Sequence, residues 1–119
     1  ETTYRLYDYG RPRELHLEDG VAVADAVPFV DAFVPGEVER GRTILVEGPK
    51  FVVERWSGGD RVATMPDGAT GWLVPVRGHG VVDGIAWKAG ECLTVTGRIA
   101  LTASSDSDLL FAYPGTKRL

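Results

Sequence analysis

From residue 51 onward, short runs of β-branched, aromatic and aliphatic residues alternate with Gly, Pro, Asp and Ser clusters, the pattern of an all-β sandwich or barrel. FVVERW (51–56) reads as a strand closed by the SGGD turn (57–60), and RVATM (61–65) as the next, closed by PDGATG. In WLVPV (72–76), Trp72, Val74 and Val76 alternate with Leu73 and Pro75. Pro75 cannot donate to a ladder, so this strand is predicted at a sheet edge or a bulge. Val81-Val82 and Ile85-Ala-Trp87 flank Asp83-Gly84, a two-residue hairpin turn. CLTV (92–95) is predicted to face Leu93 and Val95 inward, and IALT (99–102) and LLFAY (109–113) complete a set of about seven strands.

The first half of the chain is less regular. Thr2 to Tyr7 alternates and is rich in β formers, which predicts a strand with Thr3, Arg5 and Tyr7 on one face and Tyr4, Leu6 and Asp8 on the other. Asp8 to Pro12 reads as a turn. Leu17, Val21, Ala24 and Val27 recur at helical spacing, with Glu18 and Asp19 in the first turn and Pro28 as the stop, so one helix is predicted over 17–27. Residues 28–49, punctuated by Pro35, Gly36, Gly41, Gly48 and Pro49, read as a connector with a single short apolar run at 44–46, lying across the scaffold.

At 119 residues, the chain is large enough to bury a core without disulfides or metal. A net charge of −4 argues against general nucleic-acid binding, which needs a basic face. No apolar run approaches the roughly 18 residues of a membrane span, and there is no secretory signal pattern. The lone Cys92 forms no internal disulfide, which fits the reducing cytoplasm. The start at Glu1, in mid-strand and without a lead-in, predicts either a fragment of a longer chain or a processed one.

The residues that could carry chemistry are few. Arg5 reads as a strand arginine, and Tyr7, on its face, as a packing residue or a pocket wall. Arg11 and Arg13 suit a sugar phosphate, since arginine pairs bidentately with phosphate oxygens, but read first as a solvated basic turn neutralising Asp8, Glu14 or Glu18. His16 reads as a satisfied structural histidine, and His79, between Gly78 and Gly80, as a loop residue. Trp56, Trp72 and Trp87 are predicted to pack in the core rather than to form a sugar-stacking platform. Cys92 has no base nearby in sequence, and no spacing pairs two carboxylates for acid–base work.

The opening TTYRLYDYGRPRELHLE (2–18), with the Ala-Gly-Glu turn (89–91) and the terminal Leu-Leu-Phe-Ala-Tyr-Pro run (109–114), resembles the C-terminal part of class I mannose-6-phosphate isomerase. That family has the cupin fold and interconverts mannose 6-phosphate and fructose 6-phosphate with a bound zinc ion. The match over residues 2–19 is close; FVVERW and residues 71–115 match only in general pattern. The resemblance implies a mostly β, cupin-like antiparallel sandwich (jelly roll) with one short N-terminal helix. It implies that residues 1–27 end the catalytic cupin and that 28–119 form the C-terminal one.

The resemblance implies that Arg5 is the catalytic arginine; Tyr7, by its place on the same predicted face, and Arg11, by its phosphate-pairing chemistry, are the candidate substrate contacts. The family's zinc ligands all lie upstream of the motif, and the two histidines of this chain, His16 and His79, are 63 positions apart. The expectation is therefore that this chain alone binds no zinc and is inactive, and that an upstream catalytic half, in cis or in trans, supplies the metal. Two alternatives stand beside it: a non-catalytic carbohydrate-binding cupin, and a structural subunit of a separate metal-bearing half.

Overall fold

The protein was described from a computed structural model that places residues 3–24, 26, 27 and 33–119. The chain divides into two units, residues 1–32 and 33–119.

In the first unit, the strand predicted over Thr2–Tyr7 does not form: residues 3–7 have no ladder partner and no strand geometry, and Thr2 lies outside the described residues. β propensity is not sufficient where no neighbouring strand satisfies the backbone. Residues 5–16 instead make a closed loop. His16 N donates to Arg5 O at 2.6 Å, and Arg5 N donates to His16 Nδ1 at 2.8 Å, so an imidazole completes a pairing begun by a carbonyl. The tip is a tight turn in which Tyr9 (φ 52°) and Gly10 (φ 74°) are both left-handed and Arg11 N donates to Asp8 O at 2.9 Å.

Helix α1 (Leu17–Val23) ends earlier than predicted, at Ala24, whose ψ of 138° is extended. None of its residues is buried, so the stripe of Leu17 and Val21 gains no packing to prolong it. The end predicted at Pro28 lies outside the described residues.

The second unit is a two-sheet antiparallel sandwich of ten strands: β1 (Gly36–Glu39), β2 (Arg42–Glu47), β3 (Phe51–Ser57), β4 (Arg61–Thr64), β5 (Gly71–Arg77), β6 (His79–Val82), β7 (Ile85–Lys88), β8 (Leu93–Val95), β9 (Arg98–Ala103) and β10 (Asp108–Pro114). One sheet has the order β1-β2-β3-β10-β5-β8 and the other β4-β9-β6-β7. Much of the predicted connector is thus the β1–β2 hairpin, which extends the larger sheet. Its turn runs through Gly41 at φ 78°, where a Cβ would meet Ser57 O at 2.4 Å. His79 is not a loop residue; it opens β6, opposite Lys88.

The Asp83-Gly84 hairpin forms as read, with both residues at positive φ (50° and 76°). The inward Leu93 and Val95 are half-buried and buried, respectively. β5 is an interior strand, between β10 and β8, so of the two expectations for Pro75 the bulge is the one met. β8 pairs only with residues 71–73 of β5, and the β5–β10 register shifts beside Pro75. The core holds Trp56, Phe111 and Tyr113 in a tilted stack with centroids 4.6 and 4.8 Å apart. Such pairs contribute about 0.5–1.5 kcal/mol each beyond their area. Trp87 is also buried, but Trp72 is not a core residue: it lies on the outer face of its sheet.

Candidate functional site

The candidate catalytic residue of the first unit is held by its own loop. Arg5 Nη1 donates to the Glu14 carbonyl at 2.9 Å, and its Nε lies 4.0 Å from Asp8 Oδ2. Asp8 is the anchor. It is buried, and it accepts a bidentate pair from Arg13, at 2.6 Å from Nε and 2.5 Å from Nη2. A fork-to-fork pair fixes geometry as well as charge. Asp8 thus locks Arg13 and places negative charge beside Arg5, whose side chain remains 33% exposed. His16 stands edge-on to Tyr4, with centroids 6.0 Å apart, and its Nδ1 is occupied by the Arg5 amide, as a structural histidine requires.

Tyr7 is exposed and packs edge-on against Tyr9 at 4.9 Å. Arg11 is exposed and joins the loop through its backbone. With no strand there, the two-residue period that put Arg5 and Tyr7 on one face does not apply. Of the three acids expected to neutralise Arg11 and Arg13, it is Asp8 that pairs with Arg13. The signal for it is an acid followed five positions later by Arg13 across a Gly-Pro turn.

The second unit contains a charged cluster that the sequence reading missed. Glu54, on β3, is 0% exposed in the sandwich interior. Its Oε1 accepts from Arg42 Nε at 2.6 Å and from Trp56 Nε1 at 3.0 Å. Its Oε2 accepts from Arg42 Nη2 at 2.9 Å and from the Tyr113 hydroxyl. Burial pushes the Glu54 carboxyl up, but the hydrogen bonds from Arg42, Tyr113 and Trp56 outweigh it and hold the group below its ordinary value. Burial, and then the bond to Glu54, raise Tyr113; the Glu54 carboxylate raises Arg42. Beside this cluster a cavity of about 270 Å³ is bounded by Arg42, Arg61, Glu39 and Leu119, and Arg61 Nη1 reaches Glu39 at 3.0 Å. Every acceptor of Glu54 is engaged, so the cluster serves the core and has no group available for acid–base work. The signal was present: Val52, Glu54 and Trp56 share a period-two face.

Among the described residues, no three His, Cys, Asp or Glu side chains come together as a metal site. Cys92 is exposed. No helix of the described residues is long and apolar enough to cross a membrane.

No protein-family model matches the chain, and no curated protein matches it significantly. Solved structures do. KdgF from Halomonas sp. superposes with a TM-score of 0.50 at 14% identity, over 72% of this chain and 90% of its own. An RmlC-like cupin from Shewanella frigidimarina superposes with a TM-score of 0.51 at 14% identity, over 76% and 91%. These likenesses establish a cupin fold. A Ralstonia eutropha protein provisionally described as a mannose-6-phosphate isomerase matches at 16% identity over 60% and 81%, but its TM-score of 0.41 is too low to carry an argument.

Proposed function

We propose that this chain is the C-terminal part of a zinc-dependent, cytoplasmic mannose-6-phosphate isomerase, with Arg5 as its contribution to catalysis. The observation that carries the reading is the held arginine. The Arg5 guanidinium is anchored by the Glu14 carbonyl, flanked by the buried Asp8 and still partly open to solvent. This supports the role that the TTYRLYD resemblance implies. The cupin fold agrees with it at the level of architecture.

The chemistry suits the group. Aldose–ketose isomerisation removes a proton from the carbon beside the carbonyl and returns it to the neighbouring carbon. Between the two transfers, negative charge builds on the C1 and C2 oxygens of an enediolate. A permanently charged fork can donate to developing oxyanions, and it is pre-organised because the Glu14 carbonyl holds Nη1 and Asp8 flanks Nε before substrate arrives. The exposed Arg11 is the candidate contact for the substrate phosphate, and Tyr7 for the sugar. The base and the zinc ligands belong to residues outside this chain, on the same polypeptide or on a partner half.

The test is to join the chain to an upstream zinc-bearing half and assay isomerisation. Arg5→Ala is expected to lower kcat by about 10²–10³, the usual loss for one donor to a developing oxyanion. A reconstituted enzyme that runs at full rate with Arg5→Ala overturns the role of Arg5. A reconstituted protein that binds mannose 6-phosphate saturably without turnover favours the non-catalytic reading.

A further inference from the structure

Two bonds of different kinds close the loop of the first unit. The Arg5 carbonyl accepts from the His16 amide at 2.6 Å, but the Arg5 amide donates to a side chain, His16 Nδ1, at 2.8 Å. An amide N–H can only donate, so Nδ1 is the bare nitrogen of the ring, and the proton of the neutral imidazole sits on Nε2. His16 stands at the N-cap of α1, yet its ring makes no cap bond, because it is turned back onto Arg5. Leu6, the next residue, lies so close over Gly20 of α1 that a Cβ there would meet it at 2.4 Å. Arg5 is thus seated against the start of the helix by a backbone bond, a ring bond and its neighbour's side chain.

We infer that His16 is a positioning residue for Arg5 and that a proton releases its hold. The neutral ring accepts at Nδ1 and fixes the Arg5 backbone. A second proton goes to Nδ1, the one bare ring nitrogen, and two N–H groups then face each other where a hydrogen bond had been. The imidazolium and the closed ring bond therefore exclude each other. The surroundings offer the charged ring other partners. Glu14, Glu18 and Asp19 line one cleft of about 320 Å³ with His16, and Tyr4 stands edge-on to the ring. The neighbouring cations are already spent, Arg13 on Asp8 and Arg5 on the Glu14 carbonyl. A protonated ring accordingly turns from the Arg5 amide toward these carboxylates. The opening is local: the His16 amide still reaches the Arg5 carbonyl, but the segment that carries the guanidinium is held at one point fewer. That a looser Arg5 slows isomerisation rests on the isomerase reading; the proton-dependent hold does not.

The test is amide exchange and ring-nitrogen NMR on the 119-residue chain between about pH 8 and pH 5, the range over which imidazoles change charge, with His16→Asn beside the parent. Asn places an oxygen that does not titrate near the position of Nδ1, and the loss of its signals tells the His16 ring from that of His79. At the alkaline end the parent ring is expected as the Nε2–H tautomer. As it takes up the second proton, protection of the Arg5 amide, corrected for intrinsic exchange, should fall about two- to tenfold, the worth of one hydrogen bond, while amides of β3 do not follow. In His16→Asn the step should disappear. In the enzyme reconstituted with a zinc-bearing half, the acid-side decline of kcat should likewise be shallower in His16→Asn. An Nδ1–H tautomer at the alkaline end, no protection step in the parent, or the same step in His16→Asn overturns the inference. A step that depends on His16, found together with full kcat in Arg5→Ala, supports the hold and overturns the catalytic role of Arg5.

Discussion

Arg42 and Glu54 meet diagonally across the β2–β3 ladder, in which Arg42 is opposite Trp56 and Glu54 opposite Ile44, and are joined by two hydrogen bonds of 2.6 and 2.9 Å, with the carboxylate fully shielded from water. A charge in such a place is tolerated only because every lone pair finds a donor. Arg42 supplies two of them, Trp56 and Tyr113 the others.

Removing one partner is therefore expected to cost more than removing both. Arg42→Met leaves Glu54 buried without its counter-charge and should lower stability by about 3–5 kcal/mol. Glu54→Leu leaves Trp56 Nε1 and the Tyr113 hydroxyl without their acceptor and leaves Arg42 with only the Leu119 carbonyl and Glu39. In a double-mutant cycle read by urea unfolding, the pair should show a coupling of about 1–3 kcal/mol. Additive losses would show that the two residues act independently.

The same cluster sets a pH dependence with a definite sign. The Glu54 pKa is lower in the folded chain, so its stabilisation is present above the unfolded carboxyl value of about 4.3 and is lost as pH falls through the folded value. The Tyr113 pKa is raised by burial and by Glu54, so its contribution is complete below the unfolded value of about 10 and is lost as pH climbs beyond it. Stability measured by urea unfolding should therefore be flat between these limits and fall on both sides. The deficit of Glu54→Gln relative to the parent should narrow at pH 3, and Tyr113→Phe should soften the alkaline decline.

In the first unit, Asp8→Asn removes the charge that fixes Arg13 and flanks Arg5. Amide exchange at Arg5, Arg11 and His16 is expected to quicken by about tenfold, equivalent to about 1.4 kcal/mol of local opening. In the reconstituted enzyme, kcat should fall less than in Arg5→Ala, because the guanidinium is present but loosened. Unchanged exchange would show that the backbone pairing of Arg5 and His16 holds the loop without Asp8.

Much of this architecture could be read from residues alone, because its signals are local. Asp83-Gly84 gave the hairpin by its need for positive φ, and Pro75 gave the bulge by its missing donor. The inward turn of Glu54 was written in its two-residue spacing from Val52 and Trp56. Thr3–Tyr7 shows the limit of such signals. Its residues favour a strand, but a strand exists only with a neighbour, and the described chain offers this one a histidine ring instead.

By itself, then, the sequence determined the alternation, the turns and the mostly β class, because each is set by residues a few positions apart. It also carried the motif that singles out Arg5. Tertiary structure decided which strands became neighbours: β10 lies between β3 and β5, and the bulge at Leu45 between Ile44 and Val46 helps set the β2–β3 register that brings Arg42 to Glu54. It also decided that Trp72 faces out. WLVPV is apolar on both faces, so its pattern names no inward side, and the choice is made only when Leu73 and Pro75 are taken into the core.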